Sequence, residues 1–123
     1  MTHSLETGQL LDEELLRYAR QILLDGWDID AQLRLKSARV VIIGAGGLGC
    51  PASETLVRAG LGQAHLIDDD VIEASNLQRQ TLFLPEDIGQ PKAQTAAIML
   101  KRINPLITAR GTVARLNEDN AYE

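Results

Sequence analysis

Two hydrophobic rhythms run along this chain. From residue 12 to about residue 25, apolar side chains recur at helical spacing, and Leu15, Ala19, Ile22 and Leu23 fall on one predicted face. Asp12 is placed to cap that helix. Glu13 and Glu14 fill its first turn, where carboxylates suit the helix dipole, and Gly26 is placed to stop it. A second, shorter helix is expected over 29–36. The rhythm then changes: residues 40–43 read Val-Val-Ile-Ile, the continuous apolar run of a parallel strand covered on both faces. The turn Gly44-Ala45-Gly46-Gly47-Leu48-Gly49 follows, then a helix to Ala59 that Gly60 is placed to end. A second short strand is predicted over 64–67. Residues 68–84 are polar and irregular, with one helical turn expected after Ser75. Pro91 opens a further helix that ends near Asn104-Pro105, residues 107–113 form a third strand, and another helix is expected from Asn117 onward.

The predicted order, helices followed by β-α-β-loop-α-β, is that of an α/β protein. It implies a Rossmann-like parallel sheet with right-handed crossovers and N-terminal helices, the first half of a doubly wound sheet. The first strand would then leave an open edge where a fourth strand normally pairs, and an open apolar edge is a liability. The expectation is therefore a flexible arm over 1–11 and a truncated nucleotide-binding part over 12–123, belonging to a larger protein.

Composition narrows the function classes. With 123 residues the chain is sized for one domain, and at 3% aromatic its core must be aliphatic. A net charge of −5 argues against a nucleic-acid surface but permits local cationic pockets. The one cysteine, Cys50, allows neither an intramolecular disulfide nor a four-thiolate zinc site made by this chain alone. No basic leader and no membrane-length apolar run is present, so no membrane association is expected, and a reducing, cytoplasmic setting is the simple reading.

The candidate chemistry begins at Gly44-x-Gly46-x-x-Gly49. Between a strand and a helix, such a loop offers backbone N–H groups to phosphate, and glycine lets the phosphate approach closely. Asp68, Asp69 and Asp70 follow about 20 residues on, where an acid can accept from ribose hydroxyls. Asp68 is the best candidate, and Asp69 reads as an ordinary turn residue. To this point an NAD-dependent oxidoreductase and an ATP enzyme fit equally. The stretch Ser75-Asn76-Leu77-Gln78-Arg79-Gln80 favours ATP, because departing phosphates need added positive charge and Arg79 offers a planar charged fork. Ser75 and Gln78 fit a capping box, leaving Asn76 and Arg79 to the site. Lys92, in a first helical turn, opposes the dipole, and a nearby anion would compensate. Arg20 has no acidic neighbour on its helix and from spacing reads as solvated. Cys50 reads as a small packing residue and His65 as a core or surface residue without a partner in sequence.

Taken together, "LLRYARQILL", "VVIIGAGGLG", "DDDVIEASNLQRQTLF", "IGQPKA" and "INP" are far more specific than the glycine loop alone. In these motifs the chain resembles the ThiF/MoeB/HesA family, bacterial relatives of ubiquitin-activating enzymes, from about Leu15 to Leu116. The resemblance implies ATP and Mg2+ as cofactors. It implies adenylylation of the C-terminal glycine of a ubiquitin-like sulfur-carrier protein, with release of pyrophosphate, in molybdenum-cofactor or thiamine biosynthesis. It sets Gly47 against the nucleotide, Asp68 on the ribose, and Asn76, Arg79 and Lys92 around the phosphates. It also changes the reading of Arg20, which in the family reaches into the other subunit's ATP site, so that a homodimer with Arg20 acting in trans is expected. The candidate site residues are thus Arg20, Arg79 and Lys92 for catalysis, and Gly44, Gly46, Gly47, Gly49, Asp68, Asp70, Asn76, Arg79 and Lys92 for the nucleotide. No metal ligand is assigned in this chain. The family's magnesium-binding aspartate, reactive cysteine and CxxC zinc motifs would lie beyond residue 123, and the chain alone is expected to be inactive. The remaining alternative within the same fold is a non-catalytic dimerising subunit.

Overall fold

The computed structural model describes residues 9–121. Three parallel strands, β1 (Arg39–Ile43), β2 (Gln63–Asp68) and β3 (Thr108–Val113), lie in the order β1-β2-β3. Ile43 pairs with Ile67 and Asp68 with Val113, so the strands' C-terminal ends, where the glycine loop begins, are in register. Preceding the sheet are α1 (Asp12–Arg17), α2 (Ala19–Ile22) and α3 (Ile29–Ser37). The crossovers carry α4 (Gly49–Ala59) and α5 (Lys92–Ile103), with single-turn 3-10 helices at Ala74–Asn76 and Pro85–Asp87 between β2 and α5. No helix among the described residues is long and apolar enough to cross a membrane.

Both crossover helices pack on one face of the sheet. Their shared core is aliphatic, as the scarcity of aromatics requires: Val57, Leu61, Leu66, Ile72, Leu82 and Leu100 are almost fully buried. The other face carries no helix among the described residues. Within this chain Val41 and Ile43 are 57% and 55% exposed.

The N-terminal segment departs furthest from the hydrophobic pattern. One helix was expected, but the chain breaks at Tyr18 (φ −104°, ψ 11°) into α1 and α2, and Asp12 is the first helical residue, not the cap. Leu15, Ala19 and Leu23 face solvent, and the buried positions are Glu14 and Tyr18. The cause is a set of polar anchors. The Lys36 Nζ donates to Glu14 Oε1 at 2.8 Å, and the Leu11 N–H donates to the same oxygen at 2.7 Å. Asn104 Nδ2 donates to the Tyr18 hydroxyl and to the Val57 carbonyl. Gln21 and Gln32 both donate to the Ala59 carbonyl. The last carbonyls of a helix have no intrahelical partner, so the end of α4 is a natural socket for amide donors, and it receives Gln21, Gln32 and Asn104. Of the expected flexible arm, residues 1–8 lie outside the described residues, while the Gln9 carbonyl accepts from Lys36 Nζ.

Two smaller expectations also change. The helix expected after Asn117 is, as far as residue 121, a turn closed by Asn117 and Asn120 side chains. The Ser75/Gln78 capping box does not form; Asn76 Oδ1 accepts from the Glu73 N–H at 2.9 Å and fastens the turn, leaving Ser75 and Gln78 exposed.

Candidate nucleotide site

At the end of β1 the chain turns through Gly44, whose φ of 95° lies in the left-handed region that favours glycine. Gly49, where α4 starts, has no room for a side chain: a Cβ would fall on the Gly44 carbonyl and within 2.9 Å of its carbon. This contact closes the loop. Its base is fixed by Asp68, at the end of β2. One Asp68 oxygen accepts from the Ala45 N–H and the other from the Asp70 N–H, both at 2.7 Å. Among the described residues, the N–H groups of Gly46, Gly47, Leu48 and Gly49 donate to no protein acceptor. Four unpaired donors at the start of an eleven-residue helix make a cradle able, by charge and by geometry, to take a phosphate.

Arg79 lies over this cradle. Its Nε stands 3.7 Å from where a Cβ on Gly47 would be, so the guanidinium and the loop share one side of the space above Gly47. Arg79 Nη1 donates to the Ser75 carbonyl at 3.2 Å, which steadies the side chain while leaving other donors free. Gln80 follows, 3% exposed, with Nε2 3.7 Å from a Cβ on Gly46. Nothing in the sequence singles out Gln80 beyond its place beside Arg79.

Lys92 enters from the far side. The loop after β2 is sewn to the start of α5 by the Val71–Pro91 bridge and by the Ile72 N–H donating to the Gln90 carbonyl. The Lys92 N–H donates to the Asp70 carbonyl at 3.0 Å. The side chain is largely buried, yet its one ion-pair partner among the described residues is Asp70, at 4.0 Å and 70% exposed. A lysine with a buried stem and so loosely paired an ammonium, at a helix N-terminus that opposes it, leaves room for an anion. Its charge reaches the loop: burial pushes the Cys50 thiol up, and Lys92 is among the groups pulling it back down. Cys50 itself is a packing residue, fully buried with its thiol donating to the Ala45 carbonyl.

The structure thus gathers Gly44, Gly46, Gly47, Gly49, Asp68, Asp70, Arg79 and Lys92 at one end of the sheet. Asn76 stands in the same loop, with its side-chain oxygen used by the turn. Arg20 is not joined to this cluster. It is exposed on α2 and makes no ion pair among the described residues. His65 lies on the bare sheet face, its Nε2 2.7 Å from Thr112 Oγ1; burial and then Arg110 hold its pKa below the usual histidine value.

Known proteins resemble this chain in sequence and in fold. The chain is 51% identical over 112 residues to the molybdopterin-synthase adenylyltransferase of Salmonella typhimurium, covering 91% of this chain and 45% of that protein. It is 46% identical over 111 residues to the sulfur carrier protein adenylyltransferase of Thermus thermophilus, covering 90% of this chain and 41% of the relative. The chain therefore spans less than half the length of these relatives. Among solved structures it is similar to the E. coli tRNA N6-threonylcarbamoyladenosine dehydratase crystallised with ATP. The TM-score there is 0.82 at 30% identity, over 89% of this chain and 44% of that one. The ThiF family model matches residues 18–123, and the chain belongs to the ThiF family.

Proposed function

We propose that this chain is the nucleotide-binding part of an adenylyltransferase. In this reading the enzyme uses ATP to adenylate the C-terminal glycine carboxylate of a ubiquitin-like sulfur-carrier protein, and it works as a homodimer in the cytoplasm. The observation that carries the reading is the largely buried, loosely paired Lys92, whose charge reaches Cys50 beside the glycine loop, together with the loop's unpaired N–H donors under Arg79. A redox dinucleotide has no departing anion, whereas adenylylation expels pyrophosphate and needs cations where that charge develops. The names of the adenylyltransferase relatives support the same choice.

The carrier's carboxylate would attack the α-phosphorus in line with the leaving oxygen, positioned rather than chemically activated. The loop N–H groups would hold the phosphates, and Arg79 and Lys92 would stabilise the departing pyrophosphate, joined by Arg20 of the partner subunit. Asp68 is already bonded to Ala45 and Asp70, so its contribution to the ribose would use its remaining lone pairs. The Mg2+ that the family resemblance implies is given no ligand in this chain. A bound Mg2+ would neutralise phosphate charge.

Pyrophosphate exchange into ATP, driven by a carrier protein ending in glycine, tests the reading in the full-length protein. Arg79→Ala and Lys92→Ala are each expected to reduce exchange by about 100-fold or more, as for loss of a transition-state charge contact. Unchanged exchange in both would remove these residues from the phosphate site. Tight NAD(H) binding with indifference to ATP would remove the function itself.

A further inference from the structure

Gln80 is a buried polar side chain that the fold does not use. Its backbone is fixed, the N–H donating to the Asn76 carbonyl and the carbonyl accepting from the Phe83 N–H. Its neighbours Leu82 and Phe83 are core residues. The side-chain amide nevertheless makes no hydrogen bond, and Oε1, without contact to solvent, is the only buried side-chain polar atom left without a partner among the described residues. Other buried amides in this protein behave differently: those of Gln32 and Asn104 each join two or more partners. A buried acceptor without a donor destabilises the free protein, so an apolar residue of the same size would suit an unliganded fold at least as well.

What the orientation achieves is the placement of the donor. With Oε1 turned inward, Nε2 faces Gly46, within the same loop whose N–H groups are unpaired and beside the loop position that Arg79 covers. We propose that Gln80 is a further nucleotide-contacting residue, donating from Nε2 to a phosphate oxygen of the nucleotide seated over Gly46 and Gly47. The inference rests on the ATP reading of the loop. The ligand group is an acceptor, as a phosphate oxygen is, because the exposed end of the amide is its donor end. An uncharged amide there holds the phosphate without adding a third cation to Arg79 and Lys92, and so positions the chain rather than pulling charge toward one oxygen.

The experiment compares wild type, Gln80→Leu and Gln80→Glu in the full-length protein, by thermal denaturation without ligand and by calorimetric titration with ATP and Mg2+. Gln80→Leu is expected to keep or raise the ligand-free melting temperature while weakening ATP binding about tenfold, as for loss of a hydrogen bond to a charged group. Gln80→Glu, which sets a carboxylate against phosphate, is expected to weaken binding further. A lowered ligand-free melting temperature in Gln80→Leu, including failure to fold, would assign the amide to structure and overturn the proposal. Wild-type ATP affinity in either variant would overturn it while leaving the ATP reading intact. If wild type itself bound no ATP, the reading would fall and this proposal with it.

Discussion

Two glycine substitutions in the same loop should move stability in opposite directions. A methyl group added at Gly47 meets Arg79 Nε at 3.7 Å and Cδ at 3.8 Å, ordinary van der Waals contact. Gly47 is not among the glycines with positive φ, so alanine fits its backbone. Restricting the unfolded chain should then stabilise the ligand-free protein by about 0.4–1 kcal/mol, a rise of about 1–4 °C in melting temperature. The same methyl occupies the space where a phosphate oxygen would approach the loop, so Gly47→Ala should weaken ATP binding by about tenfold or more. Gly49→Ala is the counterpart. Its Cβ would lie 2.9 Å from the Gly44 carbonyl carbon and closer still to the oxygen, where carbon contacts need about 3.5–4.0 Å. Both atoms belong to the backbone of a closed turn, so the loop must open. Overpacking of this kind costs about 1–3 kcal/mol, and the melting temperature should fall along with ATP affinity. Thermal denaturation of both variants, each followed by ATP titration, is the assay. Gly47→Ala with undiminished ATP affinity would show that the phosphates do not sit on this loop. Gly49→Ala with an unchanged melting temperature would show that the Gly44–Gly49 contact does not close it.

Asn104→Ala should destabilise the protein by about 2–4 kcal/mol, because it leaves the buried Tyr18 hydroxyl without its donor, takes one of the two donors from the Val57 carbonyl and frees the Leu106 N–H. Tyr18→Phe should cost about 1 kcal/mol, since Asn104 keeps Val57; urea midpoints that rank the two the other way would refute the anchoring role. For Arg20, a mixture of Arg20→Ala subunits with subunits inactivated at Asp68 should recover part of the exchange activity that each lacks alone. No recovery in confirmed heterodimers would count against action in trans.

The strands and the glycine loop were legible because their signals are local. Val-Val-Ile-Ile between Ala38 and Gly44 can be little other than a strand, and the predicted limits of β2 and β3 are within one residue of those observed. The N-terminal helices were misread for the opposite reason. Leu15 and Leu23 carry the helical period, yet Glu14 and Tyr18 are buried, and their partners are Lys36 and Asn104, 22 and 86 residues away. No window of sequence contains such a pairing. In the site, Asp68 could be placed because it directly follows a strand. Lys92 could be suspected because it breaks a dipole rule, but its burial and its weak tie to Asp70 belong to the tertiary structure. Gln80 carries no local signal at all.

Buried polar groups in this protein divide by how they are paired, and the division follows their place in the fold. Glu14, Gln32 and Asn104 are satisfied across long sequence separations: Glu14 ties α1 to α3 through Lys36, while Gln32 and Asn104 hold the N-terminal helices to the body of the fold. Gln80 and Lys92 are buried to a similar degree but under-paired, and both stand around the glycine loop with its unpaired N–H donors. At Gln80 a fold shaped by stability alone would place leucine or methionine, since removing an unsatisfied buried polar group is neutral or favourable. The under-paired groups here supply hydrogen-bond donors and positive charge. Neither Nε2 of Gln80 nor Nζ of Lys92 has a close protein acceptor, and the loop N–H groups likewise point away from any. What would pair them all at once is a single extended anion with several oxygens, and a triphosphate is the common cellular molecule of that description.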